Sequence, residues 1–176
     1  MVERKARILV FTGEGKGKTT AALGLVLRAI GHRMPAFVVQ FIKHDSSTGE
    51  LAALRQLPGI KIQQMGQGFV PPTFHPAFGN HRKAAQAALW KAHAVVNSRH
   101  YKVVVMDEIC NALAKKLITQ KAVVSLLKDA PGDKIIVLTG RNAPKSLIAM
   151  ADTVTEMKCI KHGYHKGRPA EKGVEF

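Results

Sequence analysis

The stretch TGEGKGKTT, Thr12 to Thr20, packs three glycines and two lysines into nine positions. Before it stands the apolar run ILVF (8–11), which reads as a buried strand. After it AALGLVLRAIG (21–31) has the period of an amphipathic helix. A strand, a glycine loop and a helix that opens on Lys18-Thr19 are the context of a phosphate-binding loop, or P-loop. Gly13, Gly15 and Gly17 let successive backbone N–H groups turn around phosphate oxygens. Glu14, Lys16 and Thr20 complete the loop, and the positive end of the helix dipole adds to the attraction. Lys18 has the reach to meet the terminal phosphates, and the Thr19 hydroxyl suits Mg²⁺. One position departs from the usual spacing: the glycine expected five residues before Gly17 is Thr12. Lys16 does not make the loop of partition-type ATPases, because the position where their extra lysine stands is Gly13 here. A glycine turn that holds no phosphate is the competing reading.

Working outward, strands are expected at 7–11, 36–41, 60–65, 102–106, 134–139 and 153–157. Helices are expected at 18–30, 81–98, 119–128 and 144–150. Another should run from a capping box at Ser47-Thr48-Gly49-Glu50 to about Leu57. A Gly/Pro-rich loop covers 66–79, and the tail from His162 has no clear period. Strands alternate with helices, and several strands are apolar throughout, as when both sheet faces are covered. The expected fold is α/β: a single three-layer P-loop NTPase-like domain over 1–176 with a mainly parallel sheet.

The chain of 176 residues is 46% apolar, which excludes compositional disorder. No run approaches the roughly 20 apolar residues of a membrane span. The N-terminus lacks the long apolar stretch and cleavage site of a signal peptide. Cys110 and Cys159 form no CxxC and read as free thiols. A cytoplasmic protein is the expectation. The formal charge is +15, from 27 Lys+Arg against 12 Asp+Glu. It is heaviest at Glu3–Arg7, His81–Lys91 and Lys158–Lys172. Such a field attracts polyanions: nucleotide phosphates, RNA or DNA. An ordinary soluble surface is the alternative.

Three further elements carry chemistry. In VVVMDE (103–108) a valine-rich strand ends in two carboxylates, as in a Walker B segment. Asp107 or Glu108 should approach Mg²⁺ directly or through water, since parallel sheets bind ligands at the carboxyl ends of their strands. Thr139-Gly140-Arg141 ends another strand at the same edge, so Arg141 has a path to the phosphates. His162 and His165 read as surface or substrate contacts, for the tail offers no further metal ligands. Trp90 reads as helix packing, and Cys110 as a small buried side chain.

Taken in order, TGEGKGKTTAALG (12–24), VVQFIK (38–43), GFV (68–70), VVMDE (104–108), LTGR (138–141), ADTVTEM (151–157), KHGYHKG (161–167) and AEKGVEF (170–176) resemble the P-loop type of ATP:cob(I)alamin (corrinoid) adenosyltransferase. The resemblance spans nearly the whole chain. It implies that Co(I) of a reduced corrinoid attacks the 5′ carbon of ATP and that the whole triphosphate leaves. It further implies that Gly13 through Thr20 hold the triphosphate. Thr19 and Glu108 meet Mg²⁺, with Mn²⁺ possible in its place, and Asp107 stands behind them. Phe69 packs under the corrin ring and excludes the lower axial ligand. Some members have a tryptophan where this chain has Pro71, and Phe74 is a candidate to take over its packing. ATP and corrinoid are the implied partners, with a flavoprotein reductant and a homodimer expected and no membrane. A basic P-loop ATPase acting with RNA or DNA is the alternative, and a small-molecule kinase is a third reading.

Overall fold

The computed structural model describes residues 5–175. Part of the basic stretch Glu3–Arg7, and Phe176 of the GVEF terminus, lie outside the described residues. Six strands form one sheet: β1 (Arg7–Thr12), β2 (Ala36–Gln40), β3 (Ile60–Gln64), β4 (Val103–Asp107), β5 (Ile135–Thr139) and β6 (Thr153–Glu156). Their order is β3-β2-β4-β5-β1-β6, and every pairing is parallel. The expected α/β fold of P-loop NTPase type is the observed one, and the sheet is parallel without exception.

The helices are α1 (Lys18–Gly31), α2 (Gly49–Arg55), α3 (Phe78–Val96), α4 (Ile109–Ala114), α5 (Gln120–Lys128) and α6 (Lys145–Met150), followed by a 3₁₀ turn at Gly163–Lys166. Apolar residues divide onto the two sheet faces. Ala22, Val26 and Ala29 of α1 and Leu51 and Leu54 of α2 close one core over Val38, Val105 and Val137. Ala85, Ala88 and Ala92 of α3, with Cys110, Val123 and Leu147, close the other over Phe37, Val104 and Ile136. The small alanine face brings α3 close to the sheet, so strands with large residues on both sides are fully covered.

Four local expectations are corrected. The box at Ser47–Glu50 does not form: the N-cap is Thr48, whose hydroxyl donates to the Asp45 carbonyl at 3.3 Å and does not cap the helix, and the helix is only Gly49–Arg55. Ser47 instead bonds Asp45 Oδ1 through both its amide, at 2.8 Å, and its hydroxyl, at 2.6 Å. Glu50 is drawn to the Lys43 ammonium 2.6 Å away, and an ion pair outcompetes a backbone N–H for that carboxylate. Helix α4 was not expected, because six residues show too little period to read. Trp90 does not pack; it is 83% exposed on the outer side of α3, whose alanines face the sheet. Helix α3 also begins at Phe78, before His81.

Among the described residues no helix is long and apolar enough to cross a membrane. Both cysteines are free thiols, as expected, and burial pushes the Cys110 thiol up to about 12.

The last helix hangs on one side chain. Leu147 is fully buried, while the rest of the six-residue α6 is only partly covered. Leu147→Ala should lower the unfolding free energy by about 3 kcal/mol in a urea titration; a change below about 1 kcal/mol would show that α6 does not contribute to the core.

Candidate active site

A parallel sheet brings all its carboxyl ends to one edge, and there the structure gathers the loops after β1, β2, β4 and β5 around a cleft of about 1150 Å³. Helix α1 opens onto it. Its N-cap, Gly17, has φ 109°, and among the described residues no side chain caps the first turn. The N–H groups of that turn therefore remain free for a ligand, at the positive end of a 14-residue helix. Lys18 bends back over the loop and donates to the carbonyls of Gly13, at 2.7 Å, and Gly15. Burial and then the neighbouring Arg141 charge pull Lys18 below the usual lysine range, against the opposing pull of Glu14, Glu108 and Asp107.

The glycines of the loop serve unequal ends. A Cβ on Gly13 would stand 2.4 Å from the Met157 carbonyl, and one on Gly15 would stand 2.7 Å from it. The Gly15 amide also donates to that carbonyl at 2.7 Å, so it is committed to the segment after β6 and is not free for phosphate. Gly13 stands behind the cleft wall. Glu14, Gly15, Lys16, Gly17, Lys18, Thr19 and Thr20 line the cleft.

Asp107 is wholly buried at the end of β4 and does not line the cleft. Its Oδ1 accepts from Thr19 Oγ1 at 2.8 Å and from Thr139 Oγ1 at 2.7 Å, and its Oδ2 accepts from Gln40 Nε2 at 3.0 Å. Glu108 differs in kind. Its backbone is left-handed, at φ 62°, with its amide bonded to Thr139 Oγ1 at 2.8 Å. That turn delivers its carboxylate into the cleft. Among the described residues no hydrogen bond reaches the Glu108 carboxylate. Burial first, then the Asp107 charge, raise it from the ordinary 4.5 to about 7, with Lys43, Lys18 and Arg141 opposing.

Three other cations of the cleft are each held by an acid. Arg141 meets Glu14 at 3.2 Å, Lys16 meets Glu175 at 3.5 Å, and Lys43 meets Glu50 at 2.6 Å. Burial works against the Lys43 charge, but the Glu50 bond together with the Asp107 and Glu50 charges pushes its pKa up. Arg141 thus reaches the cleft as the order of segments anticipated, positioned by a 2.6 Å bond from its amide to Asn111 Oδ1. Sequence reasoning missed Asn111, which sits on the unread helix α4. It also missed Gln40 as a partner of Asp107, although a single polar residue closing the run AFVVQ was the available signal.

Phe69 lines the same cleft and is 89% exposed. Phe74 is equally exposed but does not border the cleft, so the structure does not bring it in to replace a residue at Pro71. His162 lines the cleft; its ring centre lies 6.2 Å from that of His165. No group of three His, Cys, Asp or Glu side chains is placed to hold a metal among the described residues. The donors that remain, Thr19 Oγ1 and the Glu108 carboxylate, are hard oxygens. They suit Mg²⁺, which takes one or two protein oxygens beside those of a bound triphosphate.

Comparison with known proteins agrees with this geometry. The family model described as ATP:corrinoid adenosyltransferase BtuR/CobO/CobP matches residues 4–176. The chain is 41% identical to the corrinoid adenosyltransferase of Sinorhizobium sp, over 99% of this chain and 82% of that one. It is 40% identical to the corrinoid adenosyltransferase of Pseudomonas aeruginosa, over 99% and 85%. It is 35% identical to corrinoid adenosyltransferase CobA of Salmonella typhimurium, over 99% and 87%. None of these relatives supports an ATPase of RNA or DNA. With a full-length family match and relatives of this identity, the chain belongs to the ATP:corrinoid adenosyltransferase family.

Proposed function

We propose that the protein moves the 5′-deoxyadenosyl group of ATP to the Co(I) of a corrinoid and releases triphosphate as one piece. One observation carries this reading: a single cleft holds both an uncapped, cation-flanked helix terminus and a bare aromatic, Phe69. The first suits an extended polyanion. The second suits the flat apolar face of a macrocycle.

In the reaction the electron pair of Co(I) forms the Co–C bond at C5′. The C5′–O bond breaks, and its electrons stay on the triphosphate oxygen. The nucleophile carries its own electron pair and needs no general base. The protein aligns C5′ with cobalt and stabilises the growing negative charge. The free N–H groups of α1, with Lys16, Lys18 and Arg141, bind and neutralise the triphosphate. Thr19 and Glu108 would hold Mg²⁺, while Asp107 fixes Thr19 and the Thr139 turn. Bound Mg²⁺ supplies further positive charge to the leaving oxygens. Phe69 shields the lower corrin face. In keeping with the family resemblance, we place the protein in the cytoplasm as a homodimer served by a flavoprotein reductant.

Three outcomes check this reading. ATP, Mg²⁺ and chemically reduced cobalamin, mixed without oxygen, should yield triphosphate and a light-sensitive organocobalt product; ADP in its place would sink the proposal. Lys18→Ala should lower kcat/KM for ATP by about 100-fold or more, and unchanged turnover would remove Lys18 from the triphosphate site. The third concerns Glu108. A carboxyl whose folded pKa is raised favours the folded state only while protonated, so stability falls as pH rises from about 4.5 through 7. Without ATP or metal, Glu108→Gln should be more stable than the parent at pH 8, by up to about 3 kcal/mol. The gain should shrink strongly at pH 5. Equal urea midpoints at both pH values would show that Glu108 is not held in a charge-hostile place.

A further inference from the structure

Phe69 is exposed by construction. Gly66 lies so close to Ile42 that a Cβ on it would stand 2.1 Å from both the Ile42 carbonyl carbon and its oxygen. Two backbone bonds flank this contact: Met65 N donates to Gln40 O at 2.9 Å, and Gly68 N donates to Ile42 O at 2.8 Å. The chain then turns through Gly68, at φ 82°, and Val70 enters the core, 6% exposed. Phe69 therefore stands at the top of an arch pinned on one side by backbone and on the other by an apolar side chain. The same strand end that carries the arch also serves the nucleotide half. Gln40 bonds Asp107 through its side chain and Met65 through its carbonyl, and Lys43 beside Ile42 lines the cleft.

We propose that Gly66 is a positioning residue for the corrinoid, setting the height of Phe69 above the end of β2 and thereby relative to the triphosphate site. This rests on the reading of Phe69 as the residue beneath the corrin ring. The colliding atoms are backbone, so no rotamer change relieves the clash, and any side chain at 66 must lift the arch. The two backbone bonds at Met65 and Gly68 would then lengthen or break. The close contact of Gly66 is with Ile42 after β2, and the phosphate loop, α1 and the ends of β4 and β5 are reached from there through Gln40.

The test compares Gly66→Ala and Phe69→Ala with the parent protein, measuring ATP affinity by calorimetry and adenosylation of cobalamin from two starting states. One assay starts from cob(II)alamin with a reductant present, the other from fully reduced cob(I)alamin. Gly66→Ala should bind ATP within about twofold of the parent. It should raise the corrinoid KM about tenfold or more. It should also lose more activity from the Co(II) start, where lower-face shielding matters, than from the Co(I) start. Phe69→Ala should show the same pattern. If Phe69→Ala is impaired and Gly66→Ala is not, the positioning role is wrong while the site reading survives. If Phe69→Ala leaves both assays unchanged, the reading beneath it falls. If Gly66→Ala loses ATP binding as well, the residue supports the fold at large, and the proposal is overturned.

Discussion

The carboxylate of Asp107 is the constraint on which the site depends. It is sealed from water, and three donors from three different segments converge on it: Thr19 of α1, Thr139 at the end of β5 and Gln40 at the end of β2. A buried carboxylate must be satisfied this fully, because an unpaired one costs several kcal/mol. Its saturation has a consequence for roles. Asp107 has little capacity left for a cation, whereas the neighbouring Glu108 has no donor among the described residues and faces the cleft. Two adjacent acids thus divide into a buried brace and a carboxylate open to the cleft, and the left-handed turn at Glu108 separates them.

Charge in the cleft follows a second pattern. Lys16, Lys43 and Arg141 each rest on an acid of the chain itself, and Lys18 rests on two carbonyls. On the proposed function, a triphosphate entering the cleft would exchange these contacts for its own oxygens. The ion pairs of Lys16 and Arg141 are substantially exposed and worth little alone. They keep the cations apart from one another and directed at the cleft at small cost to binding. The segment containing Glu175 belongs to the cleft for the same reason, which the sequence signalled only through likeness of the terminus.

Much of this was legible beforehand because it rests on local rules. A strand, glycine loop and helix fixed the first βα unit, and apolar runs marked five further strands at the right places. Alternation of strands with helices then implied parallel pairing. What was missed depends on contacts distant in sequence. Glu50 fits a capping pattern until Lys43 claims it. Trp90 fits a packed helix until the alanines of α3 take the sheet side. The Gly15 amide goes to Met157, on the far side of the sequence, while Gly15 still lines the cleft. Gln40 and Asn111 act through residues 67 and 30 positions away, so no local pattern reports them.

The central claim is that the cleft grips the triphosphate as a leaving unit and leaves the sugar carbon open to cobalt. The most direct measurement uses ATP labelled with ¹⁸O in the bridge between C5′ and the α-phosphorus, followed by mass spectrometry of the phosphate product. Cleavage at carbon puts the label in free triphosphate, now at a terminal α-oxygen, with none left on the nucleoside. Recovery of the label still bridging C5′ to phosphorus in ADP, after full turnover, would contradict the account.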